Sequence, residues 1–179
     1  LQARKRLEQL GVAVRLNARV LDAAENKIKL STGEPIDSKT LVWAAGVKPA
    51  RLANAISAPR SRSGRIEVDE FLRVRGQKDV YAIGDIASCM HNGKEIPMIA
   101  SPAIQEARHA ALNILRDTAQ QPLEPFHYKD PGMMATIGRN AAVAQIKNLS
   151  ITGFVGWVVW LFVHLYFLIG FRNRLAVLS

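Results

Sequence analysis

Apolar residues recur along this chain in three rhythms, and each predicts a different kind of element. Near the start, Leu1, Leu7 and Leu10 stand among charged residues at the spacing of a helix face, and Gly11 follows where such a helix should stop. Val12, Val14 and Leu16 then alternate with Ala13 and Arg15, Ile28 and Leu30 flank Lys29, and Gly33-Glu34-Pro35 supplies a turn. Alternation broken by turn residues predicts a small β-meander. The run Thr40-Leu41-Val42-Trp43-Ala44 is apolar without alternation, as a strand covered on both faces would be, and Gly46 and Pro49 end it. A crossing between domains is expected there.

The stretch from Ala50 to Gly64, rich in Pro, Ser, Ala and Arg, reads as a connection over the surface. Arg65 to Val74 resume strand character, and Asp79-Val80-Tyr81-Ala82-Ile83 predicts a buried strand running into Gly84-Asp85. Ser101-Pro102 has the form of an N-cap followed by proline at the first helical position. Ala103, Ala107, Ala110, Ala111, Ile114 and Leu115 then fall at helical spacing, which predicts the apolar face of a helix, and Pro122 lies just beyond its end. Short strands are expected at Phe126 to Tyr128, Met133 to Ile137 and Ala141 to Ile146.

The third rhythm is continuous. From Gly153 to Phe171 the only ionisable side chains are His164 and Tyr166, and a helix of this length would rise about 28 Å, close to the thickness of a hydrocarbon core. Length alone favours a membrane span. The aromatics argue for a helix lying in the interface: Trp157, Trp160, His164, Phe167 and Phe171 share one stripe about 80° wide, which leaves Val155, Val159, Phe162 and Ile169 to enter lipid. Arg172 and Arg174 follow, placed to pair with lipid phosphates at about 1 kcal/mol each near an anionic leaflet. No second ligand stands at helical spacing from His164, so no metal site is expected.

Composition narrows the classes. In 179 residues, 49% hydrophobic and 22% charged side chains suit a packed core and argue against disorder. A net charge of +9 fits nucleic acid, an anionic membrane or an anionic cofactor. The basic residues are scattered, without a zinc-finger pattern or a basic helix with interleaved aromatics, so no nucleic-acid partner is expected. The single cysteine, Cys89, excludes an internal disulfide or a CxxC pair, and nothing nearby supplies a base to make it a nucleophile.

Two strand-to-loop junctions carry the chemistry: Leu41-Val42-Trp43-Ala44-Ala45-Gly46-Val47-Lys48-Pro49, and Asp79-Val80-Tyr81-Ala82-Ile83-Gly84-Asp85. Ligands of open α/β sheets collect at the carboxyl ends of strands, where glycine lets backbone amides approach a phosphate or a flat ring. With the intervening Gly64-Arg65-Ile66-Glu67-Val68-Asp69, these junctions resemble flavoproteins with two dinucleotide-binding domains. A narrower resemblance, to type II NADH:quinone oxidoreductases, covers nearly the whole chain. It rests on Val42-Trp43-Ala44-Ala45-Gly46-Val47, Ala82-Ile83-Gly84-Asp85, the segment from Tyr128 to Arg139, and the aromatic tail ending Gly170-Phe171-Arg172-Asn173-Arg174.

The resemblance implies an α/β fold: the carboxy-terminal portion of a two-Rossmann-domain FAD and NAD(P) flavoprotein with an apolar membrane-attachment helix. It divides the chain into the end of an NADH-binding domain (1–49), the closing part of an FAD-binding domain (50–122), a β segment (123–149) and the attachment helix (150–179). It implies FAD and NADH as cofactors, with Gly84, Asp85, Gln105, Ala45, Gly46, Lys129 and Gly132 around them, and a membrane quinone met by Ile104, Gln105, His109 and Thr136. Gln105 is the candidate catalytic residue, its amide suited to donate to a quinone carbonyl. The family's helix after Gly-Asp reads Ala-Gln-x-Ala-x-Gln, whereas Ile104 and His109 depart from it here. Trp157, Trp160, His164, Phe167, Phe171, Arg172 and Arg174 would hold a bilayer surface, at the cytoplasmic face of a bacterial inner membrane, in a monomer or homodimer. No Gly-x-Gly-x-x-Gly occurs, so both pyrophosphate loops are expected upstream. Two alternatives stay open: a sulfide:quinone oxidoreductase-like flavoprotein, which needs reactive cysteines, and a non-catalytic membrane-attached partner.

Overall fold

A strand exists only where a second backbone pairs with it, and this rule decides which apolar runs become strands here. The computed structural model describes residues 2–44, 46–146 and 148–168, and the chain forms two units, Leu1–Trp43 with Pro131–Ser179, and Ala44–Asp130.

In the first unit, helix α1 (Gln2–Gln9) precedes an antiparallel meander of β1 (Val20–Ala24), β2 (Lys27–Leu30) and β3 (Ile36–Asp37). Glu25 and Asn26, at φ 51° and 62°, form the two-residue reversal between β1 and β2, the left-handed pair that matches strand twist. Val12 to Leu16, expected to open this meander, are not a strand, and Val12 and Leu16 are exposed. Leu41 to Ala44, expected as a doubly covered strand, are irregular, with Val42 80% and Trp43 64% exposed. Their apolar character finds no pairing partner among the described residues.

The second sheet of this unit has β9 (Ala142–Ile146) between β8 (Met133–Thr136) and β10 (Leu149–Thr152), all antiparallel. Strand β10 takes residues expected to open the attachment helix. Helix α3 (Gly153–Phe167) packs on this sheet. Gly156 makes the approach possible: a Cβ there would stand 2.8 Å from the Ala142 carbonyl oxygen. At 15 residues α3 rises about 22 Å, and Leu168 already has extended backbone. The helix is therefore shorter than the expected Gly153 to Phe171, and among the described residues no helix is long and apolar enough to cross a membrane. Ile169, Phe171, Arg172 and Arg174 lie outside the described residues.

In the second unit β4 (Ile66–Glu67) runs parallel to β5 (Ala87–Ser88), and β6 (Met90–His91) turns through Asn92-Gly93 into β7 (Lys94–Glu95). Helix α2 (Ala100–Thr118) follows. Ile66, Leu72, Val74, Ala82, Ala87 and Ile96 form the centre of its core. Arg65 to Val74 are not one strand, because the chain reverses at Asp69, whose Oδ1 accepts from the N–H groups of Phe71 (3.0 Å) and Arg73 (2.8 Å). Asp79 to Ile83 reach only a bridge between Tyr81 and Arg73, although Ala82 is buried.

Helix α2 departs from its expected design in two ways. It starts at Ala100, after Ile99, which makes no side-chain cap, so Ser101 lies inside the helix. Its buried residues are Pro102, Glu106, Ala110 and Asn113, whereas Ala107, Ala111, Ile114 and Leu115 of the expected apolar face are exposed. The side that the rest of the unit covers is the side that must satisfy neighbouring backbone groups.

A candidate flavin-binding turn and its supports

The strand-like segment ending at Ile83 gives way to a 3-10 turn, Gly84–Ile86, seated on α2. Gly84 has φ +68°, which an L side chain rarely adopts, and a Cβ there would meet the Ala103 Cβ at 3.4 Å. Its N–H donates to Oε2 of Glu106 at 2.5 Å. Glu106 is 2% exposed, and burial pushes its carboxyl above the usual range, against the pull of the Gly84 N–H and Arg65 and with the help of Asp85. Asp85 itself stands exposed at the tip of the turn. An exposed carboxylate on a turn fixed from below is suited to accept hydrogen bonds from sugar-type hydroxyls.

Along α2, side chains four residues apart fasten the segment 124–129, expected as a strand at Phe126 to Tyr128, without a β-ladder. The Gln105 amide donates to the Lys129 carbonyl (2.9 Å) and accepts from the Lys129 N–H (3.0 Å). Asn113, fully buried, does the same to Glu124, donating to its carbonyl at 2.9 Å and accepting from its N–H at 3.0 Å. Between them His109 Nε2 lies 2.8 Å from the Glu124 carbonyl, so it carries the proton, and its ring packs on Phe126. Arg116 pairs with the Glu124 carboxylate. Two amide side chains thus play the part of strand residues for this strap.

The remaining expected site residues are spread over both units. Gly46 has φ +82° with open space around a would-be Cβ, and Ala45 lies outside the described residues. Ile104 is exposed on α2, and Lys129 is held by its backbone. Gly132, at φ +100°, has a structural requirement of its own, since a Cβ there would overlap the Gln145 carbonyl oxygen of β9. Thr136 is exposed at the end of β8. On α3, Trp157 and Trp160 are half-buried while His164 and Phe167 are exposed. His164 stacks on Trp160 with centroids 4.1 Å apart, and its Nδ1 reaches the Trp160 carbonyl at 2.7 Å.

Sequence reasoning missed Glu106, Asn113 and the pair Arg65 and Glu95. Arg65, 4% exposed, donates to the carbonyls of Ala87 (3.2 Å) and Ile96 (2.8 Å) and to Glu95 (2.6 Å). Burial alone would raise the Glu95 carboxyl, but hydrogen bonds from Ser61, Ser88, Arg65 and Ser63 outweigh it and hold it at about 2. One signal was available for α2: Pro102, Glu106, Ala110 and Asn113 share a helical stripe that adjoins the alanine-rich face and has Ala110 in common with it. The buried Cys89 thiol is pushed up to about 11, chiefly by burial.

The chain is a two-unit mixed helix and strand protein with a glycine-aspartate turn seated on a helix. The family described as pyridine nucleotide-disulphide oxidoreductase matches residues 2–107, and the chain belongs to it. Among its relatives, the type II NADH:quinone oxidoreductase Ndh of Mycobacterium tuberculosis is 36% identical over 99% of this chain and 40% of its own length. The mitochondrial internal alternative NAD(P)H-ubiquinone oxidoreductase A1 of Arabidopsis thaliana is 32% identical over 97% of this chain and 38% of its own. The chain therefore spans about two fifths of these relatives. The fold matches NDH2 from Plasmodium falciparum, solved in complex with NADH, at a TM-score of 0.81 and 18% identity, over 97% of this chain and 51% of that one.

Proposed function

We propose that this chain is the carboxy-terminal part of a type II NADH:quinone oxidoreductase, an FAD-dependent enzyme that oxidises NADH and reduces a membrane quinone without pumping protons. The Gly84-Asp85 turn on α2 carries the reading, in a chain alike over 99% of its length to an oxidoreductase of that name. When bound, FAD would supply the redox chemistry, hydride acceptance from NADH and two-electron reduction of quinone. In this chain, Asp85 would accept hydrogen bonds from the flavin's hydroxylated chain, and Gly84 keeps the turn close to the helix. Gly46 offers an uncluttered backbone face, and Ala45, Lys129 and Gly132 keep their cofactor assignments from the resemblance.

Toward the quinone, Ile104 presents an exposed apolar side chain, and Thr136 keeps its assignment. The Gln105 amide is committed to Lys129 and His109 to Glu124, so both act first by holding the strap, and a catalytic contact by Gln105 requires it to exchange Lys129 for substrate. We assign attachment at a lipid surface to α3, whose Val155, Phe162 and Tyr166 are exposed along one stripe, with Trp157, Trp160, His164 and Phe167 on the other side. The domain division at 49, 122 and 149 and a bacterial inner-membrane location belong to the same reading. A sulfide:quinone reaction would need a reactive thiol, which the buried Cys89 does not provide.

The test is Asp85→Ala in the full-length protein. FAD content after purification should fall at least about tenfold, as loss of hydrogen bonds to a charged acceptor predicts, with NADH:quinone turnover falling alongside. Unchanged FAD content and turnover would remove Asp85 from the flavin site, whereas an unsubstituted full-length protein that holds no FAD and turns over no NADH would leave a non-catalytic partner.

A further inference from the structure

We infer that Glu106 is a positioning residue for the flavin-binding turn: its buried carboxylate holds the Gly84 N–H and so sets the turn that presents Asp85. The inference rests on the flavin reading above. A carboxylate buried to 2% exposure costs free energy that an apolar side chain of similar size would not, so its use must lie in what it binds. Among the described residues no Lys, Arg or His comes within ion-pair distance of it, because the nearby Arg65 is spent on Glu95 and two carbonyls. Its carboxylate accepts from the Gly84 N–H at 2.5 Å, and an ionised acceptor strengthens such a bond. Gly84 sits at φ +68° on Ala103, one residue before Asp85, so this amide is the point at which the turn is tied to α2. A valine or leucine at 106 would fill the space and leave the turn untied.

The groups that bear on Glu106 are Arg65 and Asp85 by charge, the Gly84 N–H by contact, and Cys89, whose thiol Glu106 raises. Because burial raises the Glu106 carboxyl in the folded chain, its charge costs stability at neutral pH, and that cost is relieved as pH falls through the folded value. The same protonation weakens the grip on Gly84. The Glu106 contribution to stability and the flavin affinity thus respond to acid in opposite directions, which a residue that merely supports the fold would not produce.

The experiment measures the FAD dissociation constant and the thermal unfolding of the full-length protein from neutral into acidic pH, for the unsubstituted chain, Glu106→Gln and Glu106→Leu. In the unsubstituted protein, FAD should bind more weakly as pH falls. Glu106→Gln keeps an acceptor for Gly84 but no charge, and should bind FAD with the acid-limb affinity at every pH. Glu106→Leu should weaken FAD about tenfold while unfolding at an equal or higher temperature. A Glu106→Gln protein with unaltered pH dependence, or tighter FAD binding in either variant, overturns the inference. An unsubstituted protein that binds no FAD at any pH overturns the flavin reading itself.

Discussion

Helix α2 buries Glu106 and Asn113 and leaves Ile114 and Leu115 in solvent, whereas α3 buries Gly156 and leaves Phe154, Val155 and Phe162 exposed. In α2 the covered side carries hydrogen-bonding groups, because its neighbours are a tight turn and an irregular strap whose backbone groups have no ladder to satisfy them. In α3 the covered side is a glycine, because its neighbour is a finished antiparallel sheet that asks only for close approach. What a helix buries is set by whether the backbone beside it is already satisfied.

Substitutions test this contrast. Asn113→Leu should have the largest effect, about 3 kcal/mol, because it leaves the N–H and carbonyl of Glu124 unpaired beside the core. Hydrogen exchange should then accelerate across residues 124–130, and a strap that stays protected would contradict the role given to the amide. On α3, Gly156→Val should cost about 2 kcal/mol, since the side chain presses on the Ala142 carbonyl, and denaturant unfolding reads it.

Acid should act on the unit that contains α2. Glu95 is held at about 2 in the fold, so its stabilisation is present above the ordinary glutamate value and is lost as pH falls from there toward 2. After screening at its partly exposed carboxylate, the loss is about 1 kcal/mol, and Glu95→Gln should flatten that part of the pH profile. The smallest effect on stability, under about 0.5 kcal/mol, belongs to Phe162→Ser on the exposed face of α3. The same change should weaken binding to anionic lipid vesicles several-fold, and unaltered vesicle binding would count against α3 as the attachment surface.

The contrast also marks what could be read from residues in order. Met133 to Ile137, Ala141 to Ile146, the end of α2 before Pro122 and the start of the apolar tail at Gly153 stand where spacing and punctuation put them, within a residue or two. Asn92-Gly93 is a strong hairpin signal that went unused, although those residues turn β6 into β7. Leu41 to Ala44 could not be read correctly from their composition, since strand formation depends on a partner that they do not find among the described residues. Of the candidate site, Gly84 and Asp85 stand out because the apolar run ending in Gly-Asp follows the earlier Ala44-Ala45-Gly46 junction. That pairing carries the family resemblance, where Gly-Asp alone would read as a turn.

Local chemistry thus set the turns, the helix lengths near proline and glycine, and the position of the Gly84-Asp85 turn, all of which depend on neighbours along the chain. Contacts between distant segments set the rest: the burial of Glu106 under residue 84, the pairing of Gln105 with Lys129 and Asn113 with Glu124, and the side of α2 that faces inward. A residue's spacing states which side chains share a helix face. Whether that face meets water, a sheet or an unsatisfied backbone is decided by what folds against it, and the free energy of those hydrogen bonds outweighs the apolar pattern.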